Sequence, residues 1–262
     1  MALVSFTDVE KTFWKDDQSA YTAVRDFTLT IDEGEFFCLL GPTGCGKTTI
    51  LSMLAGFEVP TRGTIELAGV PIAGPSRDRA VVFQGDDSLY AWLTARENIE
   101  FGPKMRGVPP RARREQSEHY LDLVGLRGQG NKFPHELSGG MKQRIQIARV
   151  LANEPKMLLM DEPFGALDAQ TRRVMQRELA KIWEATHKSV LFITHDIDES
   201  IILGTRIGVM QAGPDSRLKD VIRVDLDLGH DRTHPRFMEY YKVVHGLIEA
   251  EVNKTLMREI EA

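Results

Sequence analysis

The sequence predicts an α/β fold with a mainly parallel sheet, a small antiparallel β subdomain and an inserted α-helical subdomain, and three patterns carry that expectation. Short apolar runs at Phe36 to Leu40, Met157 to Met160 and Val190 to Thr194 have the length and composition of strands buried on both faces. Between the last two, Ala169 to His187 is charged and helical in period, so strand, helix and strand follow in the order of a parallel sheet with crossover helices. Residues 3–31 and Gly63 to Val70 instead alternate apolar and polar positions, the pattern of half-buried antiparallel strands.

Taken in order, "LVSFTDV", "FTLTI" and "GTIELAGV" build the antiparallel part, and "EFFCLL" supplies the first buried strand. After it, Ile50, Leu51, Met53 and Leu54 recur with helical spacing. From about Asp86 to Ala152 the pattern is helical, broken by "GPKMRGVPP" and "GLRGQGNKFPHELSGG", so 86–152 is expected as a helical subdomain within a single domain spanning 1–262. Residues 215–262 read as a short C-terminal tail, and the chain shows no internal repeat or low-complexity tract.

With 42% hydrophobic and 27% charged residues in 262, the chain can bury a substantial core. A net charge of -5 argues against nucleic acid as a partner, because phosphate contacts require a basic excess. The cluster "RARR" at Arg111 to Arg114 reads as a solvated helix face. Two cysteines, Cys38 and Cys45, make a disulfide framework implausible and favour a reducing compartment. Cys45 reads as a small loop residue, with an oxidation-sensitive thiol as the alternative. The start "MALVSFTDVEKTF" lacks the basic segment and apolar core of a signal peptide, and no apolar run approaches the roughly 18–20 residues that span a bilayer. The expectation is a cytosolic chain unless a partner holds it at a membrane.

The segment "GPTGCGKTT" joins the strand ending at Leu40 to the helix beginning near Ile50. Its residues are Gly41, Pro42, Thr43, Gly44, Cys45, Gly46, Lys47, Thr48 and Thr49. Glycines there let the backbone close around an anion, and the N–H groups and positive dipole end of the following helix complete a phosphate cradle. Lys47 is suited to the outer phosphates of a nucleoside triphosphate, and the Thr48 hydroxyl to one position of an octahedral Mg²⁺. A turn that binds nothing has no use for this Lys-Thr pair between a strand and a helix. The expected core is therefore that of a P-loop nucleoside triphosphatase.

Two further motifs bear on the chemistry. "KMLLMDEP" ends a buried strand on Asp161 and Glu162; the first is placed to hold Mg²⁺ through its water shell and the second to orient the attacking water, although such a pair alone can simply cap a strand. In "LSGGMKQR", Ser138 is a good N-cap, and Gly139 and Gly140 open a helix with bare N–H groups, a second anion-binding helix start or else a plain cap.

At "LSGGMKQR" the chain resembles the ATP-binding cassette family, whose signature this segment matches, and the resemblance extends over nearly the whole chain. It implies two cassettes meeting head to tail as a homodimer, with Ser138, Gly139 and Gly140 contacting the γ-phosphate of ATP held by the partner's loop. It further implies that Gln84 in "VVFQ" senses Mg²⁺ and water, that Asp168 in "GALD" crosses the dimer interface, and that His195 in "FITHD" hydrogen-bonds the γ-phosphate. For the aromatic that the family stacks on adenine, Phe13 in "VEKTFW" fits best, with Trp14 and Tyr21 as rivals.

Within the family the chain looks like the importers for nitrate, sulfonates, taurine and related small anions, on the strength of "GPSRDRAVVFQ", "LYAWLTARENIEFG", "THDIDESIILGTRIGVM" and "HDRTHPRFMEYYKVVHGLI". The resemblance then implies transmembrane permease subunits, an external solute-binding protein acting through them, and a peripheral position on the cytoplasmic face of the inner membrane. Residues 84–93 would form the segment that faces the permease, with Trp92 as core filler being the alternative. A soluble cassette ATPase working on nucleic acid or ribosomes is the competing function, but it generally carries coiled-coil arms or a second cassette, and the sequence shows neither. A small-molecule kinase would leave "LSGGMKQR" without a purpose.

Overall fold

The computed structural model describes residues 1–14, 19–83, 88–165, 167–226 and 232–261. In chain order the elements are β1 (Ala2–Trp14), β2 (Ala20–Asp32), β3 (Phe36–Leu40), α1 (Lys47–Ala55), β4 (Arg62–Leu67), β5 (Val70–Pro71) and β6 (Arg79–Val82). Then follow α2 (Ala95–Met105), α3 (Pro110–Leu123), α4 (Gly139–Leu151), β7 (Met157–Asp161), α5 (Ala169–Thr186) and β8 (Ser189–Thr194). The last are α6 (Ile197–Leu203), β9 (Arg206–Met210), β10 (Leu218–Arg223) and α7 (Phe237–Glu261). They fall into two compact units, Met1–Ser76 with His187–Ala262, and Arg77–Thr186.

In the first unit, β2, β1, β4 and β5 form an antiparallel sheet in that order, as the alternation of residues 3–31 requires. Phe6 and Val9 are both buried although they lie three apart, as are Val24 and Phe27. Bulges reconcile this with a two-residue period: Asp8 and Asp26, with φ of 49° and 47°, each take the left-handed conformation, and the pairing slips between Phe6 and Val9. Asp8 is fixed there by its N–H donating to Thr28 Oγ1 at 3.0 Å, while the Thr28 hydroxyl donates to its carboxylate at 3.1 Å. Phe6 and Phe27 then meet edge to face with centroids 5.2 Å apart.

The same unit holds β3 between two parallel neighbours, β8 on one side and β9 on the other, with β10 antiparallel on β9. Every side chain of β3 is buried, which is why it reads as an unbroken apolar run. Just before it, Glu35 accepts from Arg206 of β9 at 3.1 Å, and that guanidinium also lies 5.3 Å over the Phe37 ring. Residues 215–262 hold more than a tail: β10 and the 25-residue α7. Helix α7 packs by a stripe whose buried members include Phe237, Val244 and Glu251.

In the second unit, β6 and β7 run parallel from Arg79 opposite Met157 to Val82 opposite Met160. Helix α2 begins in a capping box: the Glu97 N–H donates to Thr94 Oγ1 at 3.3 Å and the Thr94 N–H to Glu97 Oε2 at 2.8 Å. Those bonds to Thr94 hold the Glu97 carboxyl below the usual carboxylate range. One residue on, Asn98 is completely buried and organises the loop before the helix. Its Oδ1 accepts from the Tyr90 N–H at 2.9 Å, and its amide nitrogen lies 3.2, 3.1 and 3.0 Å from the carbonyl oxygens of Tyr90, Leu93 and Thr94.

Removing that amide strands several buried main-chain groups at once. Asn98→Ala is expected to lower unfolding stability by about 3 kcal/mol, given a cost of about 1–3 kcal/mol for each buried group left without a partner. Urea titration measures this directly, and a midpoint within error of the parent protein would show that water takes over these bonds.

Candidate functional site

The loop between β3 and α1 is built as a tight turn, the Cys45 N–H donating to the Pro42 carbonyl at 3.3 Å. Gly46 closes it with φ 89°, and a Cβ there would lie 2.7 Å from Val24 Cγ2, so both conformation and space demand glycine. The ladder of α1 opens with the Ile50 N–H on the Gly46 carbonyl at 3.0 Å, which leaves the N–H groups of Lys47, Thr48 and Thr49 ahead of it, at the positive end of the helix.

Lys47 is only 5% exposed. Its ammonium donates to the carbonyls of Gly41 at 2.7 Å and Pro42 at 3.0 Å, with Cys45 Sγ at 3.8 Å. Those acceptors are neutral, so these contacts hold the ammonium at the centre of the loop without cancelling its positive charge. A bare-backboned loop, a helix N-terminus and a buried cation together suit an anion of several charges such as a triphosphate.

Both thiols are buried. Burial pushes the Cys45 thiol above its ordinary pKa, partly offset by the neighbouring Lys47 ammonium. Cys38 is pushed well above, by burial first and by the nearby Glu199 charge second. The structure thus supports Cys45 as a small packed loop residue.

Register brings His195 to the same end of the sheet as the loop. Leu40 of β3 pairs with Thr194 of β8, so Gly41 and His195 both emerge directly after paired residues of adjacent parallel strands. The residues around His195 are fixed: the Thr194 hydroxyl donates to Glu199 Oε2 at 2.7 Å, and Asp196 caps α6 by accepting from the Glu199 N–H at 3.2 Å. His195 itself is exposed.

Among the early aromatics, Phe13 and Tyr21 are directly opposed across β1 and β2, whereas Trp14 pairs with Ala20. Lys11 Nζ sits 4.9 Å over the Phe13 ring, while Trp14 is widely exposed.

The remaining candidates lie in the second unit. Asp161 is the last residue of β7, and Glu162 follows with φ 43°, its carbonyl accepting from the Gly165 N–H at 3.1 Å. The Gln143 amide of α4 donates to the Pro163 carbonyl of that turn. Asp168 caps α5, its carboxylate accepting from the N–H groups of Gln170 and Thr171 at 3.0 Å and from the Thr171 hydroxyl at 2.7 Å. Those bonds, Thr171's foremost, hold the Asp168 carboxyl below its ordinary range. Ser138 caps α4 by accepting from the Met141 N–H at 3.4 Å, with Gly139 and Gly140 as the first helical residues. A Cβ on Gly140 would stand 3.3 Å from Thr171 Cγ2, so the starts of α4 and α5 are neighbours. Gln84, like Asp86, lies outside the described residues.

Sequence reasoning missed what backs the phosphate loop. Met210, Gly213 and Val24 all press on it from distant parts of the chain, and no local pattern marks them as its neighbours.

Comparison with known proteins bears on this geometry. The family model described as ABC transporter matches residues 24–165. The taurine import ATP-binding protein of Jannaschia sp. strain CCS1 is 44% identical over 86% of this chain and 86% of its own length. The nitrate import ATP-binding protein of Synechocystis sp. is 40% identical over 94% of each chain. Among solved structures, a dimeric post-hydrolysis ATP-binding cassette bound to ADP and phosphate superposes with a TM-score of 0.71 at 31% identity, over 85% of this chain and 99% of that one.

The buried, raised thiols generate a chemical expectation. At pH 7.5 neither Cys38 nor Cys45 should be alkylated by iodoacetamide in the native protein over a period in which both react in 8 M urea, where thiolates form at about pKa 8.5. Intact mass reads the outcome, and rapid labelling of native Cys45 would mean that the loop opens in solution.

Proposed function

The chain belongs to the ABC transporter family and is an ATP-binding, ATP-hydrolysing cassette, and from that premise we propose that it powers uptake of a small anion of the nitrate, sulfonate or taurine kind. In this reading two copies close on ATP beneath transmembrane permease subunits, to which an external protein delivers the solute. The observation that carries the ATP site is the buried Lys47 ammonium, which donates to the carbonyls of Gly41 and Pro42 at the head of α1. The import reading draws on relatives that import taurine and nitrate. No helix among the described residues is long and apolar enough to cross a membrane, so attachment at the cytoplasmic face of the membrane would be peripheral.

The roles follow from chemistry. Main-chain N–H groups of the Gly41 to Thr49 loop, foremost those at the head of α1, and the Lys47 ammonium bind the phosphates, and Phe13 stacks on the adenine. Mg²⁺, when bound, neutralises charge on the outer phosphates. The Thr48 hydroxyl, Asp161 and Gln84 would hold it, an oxygen-donor set suited to a hard cation. Glu162 orients the lytic water and His195 donates to the γ-phosphate. Ser138, Gly139 and Gly140 offer the N-terminus of α4 to ATP held by the other copy, and Asp168 lies along the same dimer interface.

Removing the charge of Glu162 tests the hydrolytic and dimeric parts together. Glu162→Gln is expected to keep ATP affinity but lose at least about 100-fold in turnover, the usual scale for a positioned base. It should also accumulate as an ATP-bound dimer in light scattering. Unchanged steady-state hydrolysis would remove Glu162 from this role.

The permease-facing segment has a structural candidate in Trp92, which is 72% exposed and therefore no part of the helical core. Its backbone setting is firm. Tyr90, two residues earlier, packs tilted against Phe101 with ring centroids 4.5 Å apart and lies under the Arg149 guanidinium. Trp92→Ala should leave the melting curve and basal hydrolysis unchanged but weaken permease co-purification more than tenfold, as truncation of a central interface aromatic typically costs about 2 kcal/mol. Undiminished co-purification would assign the docking surface elsewhere.

A further inference from the structure

Along the buried stripe of α7, Phe237 and Val244 are followed at the same seven-residue interval by a carboxylate, Glu251, which is 1% exposed. A buried carboxylate is costly unless its charge is paired and its oxygens are hydrogen-bonded. Here both conditions are met by the hairpin of β9 and β10. Lys219 Nζ of β10 lies 2.7 Å from Glu251 Oε1, and the Ala212 N–H donates to Oε2 at 3.0 Å. The same lysine donates to the Leu247 carbonyl at 3.0 Å, one turn earlier on α7.

The connection that Glu251 grips is the wall behind the phosphate loop. A Cβ on Gly213 would stand 2.9 Å from the Gly44 carbonyl oxygen and 3.7 Å from Cys45 Cα, so the two backbones touch. A Cβ on Gly41 would stand 2.9 Å from Met210 Cβ. On its other side the connection is fastened to β2, the Asp215 N–H donating to the Thr22 carbonyl at 2.8 Å and the Arg25 N–H to the Ser216 carbonyl at 2.9 Å. Residues 211–216 therefore rest on β2, lean on Gly44 and Cys45, and are held from behind by one carboxylate of the C-terminal helix.

We propose that Glu251 is a positioning residue for the phosphate loop. By holding the Ala212 N–H it keeps Gly213 seated against Gly44 and Cys45, so that the docking of α7 and the affinity for nucleotide are thermodynamically coupled. The proposal rests on the reading of Gly41 to Thr49 as the ATP loop. A purely local role is the competing account: Glu251 would fasten α7, as Tyr240 does where its hydroxyl accepts from the Asp225 N–H at 3.0 Å, with no effect at the loop.

The test is calorimetric binding of the β,γ-imido analogue of ATP with Mg²⁺ to the full chain, at a temperature where circular dichroism shows each variant folded. Glu251→Ala should weaken binding about tenfold, the scale of one buried hydrogen bond, and Glu251→Gln, which keeps an oxygen for the Ala212 N–H, should recover it to within about threefold. Turnover at saturating ATP should stay unchanged in both. A lower melting temperature with unchanged affinity in Glu251→Ala would overturn the proposal in favour of simple fastening. Lys47→Ala serves as the control: its loss of binding upholds the loop reading whatever Glu251 does, and parent-like binding in it would remove that reading and this proposal with it. Should Glu251→Ala not fold, hydrogen exchange on the unmodified protein decides. The analogue at saturation should slow exchange at Ala212 and across 245–253 several-fold, and unchanged exchange there would overturn the coupling.

Discussion

The site depends above all on β3 being paired on both edges and covered on both faces. A loop can present bare N–H groups to a polyanion only if it is held open against the tendency of those groups to find partners within the chain. Strand β3 supplies the fixed end: five buried side chains, with β8 and β9 in parallel register on either side. The chain leaves this strand at Gly41 with its direction set, and α1 begins six residues later. The same register that fixes Gly41 also fixes His195, because both follow the paired residues Leu40 and Thr194. One pairing therefore positions two candidate phosphate contacts that lie far apart in sequence.

Local chemistry was legible in the sequence wherever the residues that act are also neighbours in the chain. The phosphate loop, the cap at Ser138 and the buried strands all follow from patterns a few residues long. What the sequence hid are long-range compensations. The bulges at Asp8 and Asp26 interrupt the two-residue period at single positions, and Asp tolerates the left-handed backbone without announcing it. Helix α7 was obscured because its buried stripe contains Glu251, which reads as a solvent position until Lys219 and the Ala212 N–H are brought to it. Met210 and Gly213 could not be assigned to the site because their neighbours in space come from residues 41–45.

Three buried polar side chains perform one recurrent task in this chain, fixing main chain at the edge of a core. Asn98 ties Tyr90, Leu93 and Thr94 in the second unit, and in the first Glu35 binds Arg206 while Glu251 binds Ala212 and Lys219. Apolar packing alone would bury these positions equally well, but it is non-directional and would leave the loop main chain without fixed partners. Directional bonds to main-chain groups specify a single loop conformation, and two of the loops so specified, 90–94 and 211–216, bear on the proposed work.

Lys47 departs from this pattern in a way that bears on chemistry. Glu35 and Glu251 each meet an opposite charge, whereas among the described residues the acceptors recorded for Lys47 are neutral, the carbonyls of Gly41 and Pro42 and the Cys45 sulfur. A carboxylate partner would have stabilised the buried ammonium more, but it would also have cancelled the positive potential at the head of α1. Neutral acceptors satisfy the donors of the lysine while leaving its charge to act on whatever enters the loop. A phosphate oxygen offers the same ammonium a charge-assisted bond, roughly twice as strong as the bond to a neutral carbonyl. The exchange of carbonyl for phosphate thus favours binding without the ammonium ever losing a hydrogen-bond partner, and it requires that Gly41 and Pro42 stay at the end of β3, where Met210 of β9 presses against Gly41.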